Sequence, residues 1–377
     1  WLKPFGLKPF GPNLLASKPF DASSAHLFRA RRREIVAMEK LVPTTGAGTG
    51  RHPGTVHQPR RTLKAHDNSK VSDLLWANDM TLYSCAKDGR VIKWDAPGTN
   101  VLFTLDGPRW MCTVAVNDDE SLVATGGLDN ACAVYKTSSK EVSVRFEEHE
   151  GYIGKARFKD NGTVLTTSGD GTATCWKVED PKSFTRFKGH EPISGIDALA
   201  LDKTCPEVFA TGSTDTYVCL WDCRRGGDPV MKTSATKDVN DATFANSTCL
   251  FVACIDGACR AFDLRSAEQP VMTYTSLEKA DCVSVACSKT GDCVVAGFHD
   301  GKVVLYDAIT GEPHKIGGRS SHKWGSDRVN ALATSPDGSA LALGFDDGIV
   351  RITNLSPDGD NRWARAPAIK SGGCIVS

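Results

Sequence analysis

A histidine, a hydroxyl and an aspartate recur along this chain at regular spacing, and these are the residue types of acid–base and nucleophilic catalysis. His66, Ser84 and Asp88 form one set, His149, Thr166 and Asp170 a second, and His190, Thr211 and Asp215 a third. In each set the hydroxyl lies four residues before the Asp and the His 21–25 before it, while a Trp follows six residues after it: Trp94, Trp176 and Trp221. Three copies of one constellation do not describe one active site. In later copies Val252, Ala296 and Leu343 replace the hydroxyl, and the Trp goes with it. The second copy keeps the hydroxyl, Thr125, without the His or Trp, but residues kept or lost largely together suit a buried hydrogen-bond network, because a half-satisfied network costs more than none. The sets are therefore read as structural, no residue is assigned a catalytic role, and the chain is read as a non-enzyme.

Other reactive types lead no further. The run Gly46-Ala47-Gly48-Thr49-Gly50 lacks the Lys-Ser/Thr and the strand–helix setting of a phosphate loop. Fourteen Cys are present, but there is no C-x-x-C pair and no Cys/His cluster with zinc-finger spacing, so neither metal nor cofactor is expected. Cys85, Cys132, Cys175, Cys219 and Cys259 sit in β-rich runs, as small hydrophobes would. Their setting points to a reducing, cytoplasmic compartment. Lys+Arg and Asp+Glu are both 45, which argues against nucleic acid as a partner. Apolar runs are strand-length, far short of the roughly 20 residues of a membrane helix.

The elements that position these residues follow from an internal repeat. Asp88, Asp129, Asp170, Asp215, Asp256, Asp300 and Asp347 each stand six residues before an aromatic-led dipeptide or its relic, from Trp94-Asp95 to Thr353-Asn354. Successive Asp residues are 41, 41, 45, 41, 44 and 47 apart, the period of a four-stranded propeller blade. Between two β-rich runs, Asp-Gly marks a tight turn at Asp88-Gly89 and again at 170–171, 256–257, 300–301 and 347–348. Seven copies predict an all-β, seven-bladed β-propeller.

Strands, turn Asp-Gly and Trp-Asp together resemble the WD-repeat family. In that family a strand from before the first repeat completes the last blade, so Arg61-Thr62-Leu63-Lys64-Ala65 is expected to pair beside residues 329–354. The chain then divides into an irregular N-terminal extension and linker (1–58), the propeller (59–354) and a flexible tail (355–377).

Gly126-Gly127-Leu128-Asp129-Asn130-Ala131-Cys132, the run from Cys259 to Arg265 and then Met272-Thr273-Tyr274 are similar to heterotrimeric G protein β subunits. Arg60 to Lys64 ahead of His66, and Thr167-Ser168-Gly169-Asp170, fit the same resemblance. It implies a face that receives a GDP-loaded Gα-type GTPase subunit and effector proteins, with a γ-like subunit as a further partner. Carried over position by position, the partner-binding residues are Lys70, Arg90, Ile92, Trp110, Leu128, Asn130, Tyr152, Asp238 and Asp256. This chain departs from the family pattern at Ser72 (a tyrosine), Cys112 (a methionine), Ile193 (an aspartate) and Asp346 (a tryptophan). A generic WD-repeat scaffold, of kinase-receptor or ubiquitin-ligase-adaptor type, is the alternative.

Residues 1–60 show no sustained heptads for a γ-binding coiled coil. Lys3-Pro4-Phe5 recurs at 8–10 and 18–20, and Pro keeps that repeat out of a helix. The first Met is Met38, and the N-terminal extension is expected to be in part non-native, within residues 1–37. Cys374-Ile375-Val376-Ser377 has the pattern of a prenylation box, with Ser favouring farnesyl. The expectation is a lipoprotein peripheral on the cytoplasmic face of a membrane.

Overall fold

The computed structural model describes residues 61–355, apart from 65, 109, 267–268, 276–279, 314–321 and 324–327. The expectations for residues 1–60, for the tail after 355 and for Cys374 lie outside the described residues. Among the described residues there are seven sheets of four strands and no helix. Six sheets run in chain order, and the first begins Val71–Asn78, Thr81–Ala86, Arg90–Asp95, Asn100–Asp106.

The first strands of the seven sheets touch one another in a closed cycle, so they are the inner strands around a central channel. They are Val71–Asn78, Met111–Val116, Ile153–Asp160, Ile196–Leu201, Val239–Asn246, Cys282–Cys287 and Val329–Thr334. The seventh sheet is completed from the other end of the chain. Arg61–Lys64 pairs antiparallel with Ile349–Asn354, with Thr62 opposite Arg351 and Leu63 opposite Val350. The ring therefore closes as the resemblance to the WD-repeat family implies.

Apolar burial is divided among seven clusters, one at each seam between neighbouring blades. At the seam of blades seven and one, Leu63, Trp76, Trp94, Ala342 and Ile352 pack together. At the seam of three and four, Phe187, Phe209 and Trp221 do so. This follows from strand alternation: each sheet is covered on both faces, so both side-chain sets are buried. The predicted Asp-Gly turns all put glycine in the left-handed region, from Gly348 at φ 76° to Gly89 at φ 86°. Asn130 (φ 60°) and Thr216 (φ 70°) hold that slot in blades two and four.

The His–hydroxyl–Asp sets are assembled as relays. In blade one, Trp94 Nε1 donates to Ser84 Oγ at 2.8 Å, Ser84 Oγ lies 2.7 Å from His66 Nε2, and His66 Nδ1 lies 3.1 Å from Asp88. An indole only donates and a carboxylate only accepts, so the relay runs from Trp94 through Ser84 and His66 to Asp88. Blade four repeats it, with Trp221 to Thr211 at 2.8 Å, His190 to Thr211 at 2.8 Å and His190 to Asp215 at 2.9 Å. Ser84 and Thr211 are wholly buried, out of reach of any substrate.

Blade three corrects the expectation. His149 meets Asp170 at 2.9 Å and Thr166 at 3.0 Å, but Trp176 Nε1 is buried with no hydrogen-bond partner. Thr174 takes its place, 2.6 Å from Thr166 Oγ1 and 3.1 Å from His149 Nε2, while Trp176 stacks on Phe146 at 4.8 Å. The two tryptophans should therefore respond differently. Trp94→Phe is expected to cost about 1–2 kcal/mol more than Trp176→Phe, since only the first strands a buried partner. Urea midpoints of the two variants check this, and equal losses would refute the difference in wiring.

Candidate functional site

One face of the ring carries a cavity of about 440 Å³ at the channel mouth. Its wall has a regular origin. In every blade the pairing of the inner strand with its neighbour skips one residue, the second of the strand. Those seven residues are Ser72, Cys112, Gly154, Asp197, Asn240, Val283 and Asn330, and all of them line the cavity. A bulge releases one residue from the ladder and re-aims its side chain. Repeated around the ring, it forms a collar of seven unpaired positions, 16–18 residues before the seven repeat aspartates.

Below the collar, the third residue of the inner strand ties blades together. Asp73 Oδ2 accepts from Thr113 Oγ1 of blade two at 2.9 Å, and Thr113 Oγ1 in turn accepts the Ala156 N–H of blade three at 3.0 Å. Asp241 and Ser284 repeat this: Ser284 Oγ donates to Asp241 at 2.7 Å and accepts the Leu332 N–H at 3.1 Å. Asp73 also holds Lys155 at 2.9 Å and Arg157 at 3.0 Å. Burial alone would raise the Asp73 carboxyl, but Arg157 and Lys155 hold it well below the usual carboxylate range. Asp197 goes the other way. Burial raises its carboxyl, with the Tyr152 hydroxyl donating at 2.8 Å as a partial offset.

Cations and carboxylates thus occupy different arcs of the mouth. Lys70 and Lys87 flank blade one and Lys155 belongs to blade three, whereas Asp197, Asp241 and Asp281 follow on blades four to six. Burial lowers the Lys70 ammonium. Trp110, Leu128 and Ile255 add exposed apolar surface, with Trp110 49 % exposed. Trp110 sits at φ 65°, under the Lys87 ammonium 4.5 Å from its ring centre. A bulky residue at positive φ is costly and clusters at functional sites. Gly127 accommodates it, since a Cβ there would meet the Trp110 carbonyl at 2.5 Å.

The predicted partner residues divide. Lys70, Trp110 and Leu128 converge on the cavity, and Tyr152 braces its wall through Asp197. Arg90 bonds Asp88 and Asp67 at 2.9 and 2.8 Å, and Asn130 donates to the Glu150 carbonyl at 3.3 Å. Asp238 is half-buried, its carbonyl taking the Ile255 N–H at 3.0 Å. Asp256 is exposed and paired with Arg260 at 2.5 Å. Ile92 is a correction: it is wholly buried with Leu82 and Trp94, because its place in Arg90–Asp95 turns it into the seam, and it offers nothing to a partner. The collar and Lys155 were missed. For the collar, an offset from the repeat Asp that varies only between 16 and 18 residues was the available signal.

The WD domain, G-beta repeat family model matches residues 57–95, 140–177, 181–222, 268–307 and 317–354. It leaves blades two and five unmatched, where Tyr135-Lys136 and Phe262-Asp263 replace Trp-led dipeptides. A guanine nucleotide-binding protein subunit beta from Zea mays is 29% identical over 87% of this chain and 92% of its own length. Subunit beta-5b of Danio rerio is 32% identical over 79% of this chain and 76% of its own length. Among solved structures, the WD40 β-propeller domain of Doa1 shares the fold at a TM-score of 0.66 and 19% identity, over 78% of this chain and 96% of that one. Matched through five of its seven blades and similar to relatives across most of its length, the chain belongs to the WD-repeat family.

Proposed function

We propose that this propeller is a G protein β-like signalling subunit, receiving a GDP-loaded Gα-type subunit, and effectors in its absence, at the collared mouth of the channel. The observation that carries the reading is the convergence of Trp110, Leu128 and Lys70 on one cavity, aromatic and aliphatic surface inside a charged rim. Exposed aromatics at the centre of such a patch dominate binding energy. The names of the relatives support the partner class. Any GTP chemistry belongs to the partner, which is held, not acted upon. Binding of a purified Gα-type subunit is the test. GDP-loaded Gα is expected to bind in preference to the form loaded with a GTP analogue. Trp110→Ala should weaken that binding by about 2 kcal/mol, roughly thirtyfold, with little change in thermal stability. Binding indifferent to the nucleotide would favour a generic WD scaffold. A large stability loss with unchanged affinity would make Trp110 a packing residue.

A further inference from the structure

The loop from blade three into blade four, between Phe184–Lys188 and Ile196–Leu201, displays one isoleucine against its own preference. Glu191, Pro192, Ile193 and Ser194 form a tight turn, closed by the Ser194 N–H donating to the Glu191 carbonyl at 3.2 Å. Ile193 is the third residue of that turn and stands at φ 68°. Pro second and positive φ third is the type II pattern, whose third place suits Gly or Asn. The turn from His66 to Ser69, which leads into blade one, has Asn68 at that place, at φ 49°. A β-branched residue there is strained, because its Cβ crowds the backbone. Burial does not offset the strain. Ile193 is 88 % exposed, the most exposed large hydrophobic side chain among the described residues.

The turn is held firmly, and beside the mouth. Asp215, the end of the blade-four relay, accepts the Glu191 N–H at 3.0 Å as well as meeting His190 at 2.9 Å. On the other side the Gly195 carbonyl accepts the Thr214 N–H at 3.0 Å. The turn rests on Gly171 of blade three, where a Cβ would meet the Glu191 carbonyl at 2.6 Å and the Ile193 nitrogen at 3.3 Å. Gly195 lies against the Tyr152 hydroxyl with no room for a Cβ, and that hydroxyl braces Asp197 of the cavity wall. Ile193 therefore stands on the face of the mouth, where Trp110, Leu128 and Ile255 also expose apolar surface. We propose that Ile193 is a specificity-determining contact, a rigidly presented aliphatic side chain that enters an apolar pocket of the partner docked at the mouth. The partner is the Gα-type subunit of the reading above, on which this inference rests. A side chain already fixed in place costs less to order on binding. It extends the apolar patch of the mouth outward to the rim of blades three and four, inside a polar surround that marks an interaction site.

The test measures binding of a purified GDP-loaded Gα-type subunit to the full chain and its variants, with a thermal melt of each. Ile193→Asn removes the aliphatic group and suits the positive φ. It is expected to weaken binding about tenfold while the melting temperature holds or rises. Ile193→Leu should keep most of the affinity. Ile193→Asp should weaken binding at least as far as Ile193→Asn, because an apolar pocket would leave its carboxylate unpaired. Wild-type affinity in Ile193→Asn overturns the proposal. Tighter binding by Ile193→Asp also overturns it, since the partner surface there would then be cationic. A lowered melting temperature in Ile193→Asn would make Ile193 a packing residue instead. Binding lost in Trp110→Ala but kept in Ile193→Asn would sink this contact alone and leave the reading of the mouth standing. A wild-type chain that binds no Gα-type subunit would sink both.

Discussion

Deleting residues 59–65 is expected to unfold the whole propeller cooperatively at a melting temperature about 10 °C or more below that of the intact chain. The deletion removes the outer strand of blade seven, so the Ile349–Asn354 strand loses its pairing along that edge. It also removes Leu63, which is 1 % exposed and packs in the seam that joins blade seven to blade one. Losing one buried leucine costs about 2–5 kcal/mol by itself. The freed edge would also be open to pairing with another chain. Calorimetry of the deletion variant, with Leu63→Ala beside it, is the measurement. An unchanged midpoint in the deletion would show that the ring does not depend on this closure.

Asp73→Asn is expected to cost about 3–5 kcal/mol at neutral pH, because it leaves Lys155 and Arg157 without their shared carboxylate in the channel. Asp73 reaches across two seams, from blade one to blade three, so its loss loosens three blades together. The sign with pH follows from its carboxyl, which the two cations hold below the unfolded value. A depressed folded pKa gives stability that is fully present above the unfolded pKa of about 4. That contribution is lost as pH falls below it. The gap between wild type and Asp73→Asn should therefore be widest near pH 7 and shrink by about 1.4 kcal/mol per pH unit below pH 4. Urea midpoints of both proteins from pH 7 to pH 3 give the answer. A gap that stays constant over that range would mean that Asn fails through geometry, not charge.

The number of blades and the turn glycines were legible in the sequence because each rests on a repeated local signal, and the closure of the ring followed from the resemblance to the WD-repeat family. In six repeats the Asp caps a turn, the residue after it takes positive φ, which glycine supplies in five blades, and strand alternation follows from period two. Two of the three relays were legible for the same reason, since a His, a hydroxyl and a Trp can satisfy one another only as a set. The tertiary structure decided what depends on neighbours from other repeats. Trp176 loses its place to Thr174, one hydroxyl that the spacing rule did not count. Ile92 and Arg90 are two residues apart on one strand; the first is wholly buried in the seam and the second is half-buried with its guanidinium on Asp88 and Asp67. The collar arises from a bulge at the second residue of each inner strand, which shifts the face of that residue and leaves no mark in composition. Asp73 meets Arg157 from 84 residues away. Repetition along one chain specifies each blade, but which side chains face one another is set only when seven blades close on a common axis.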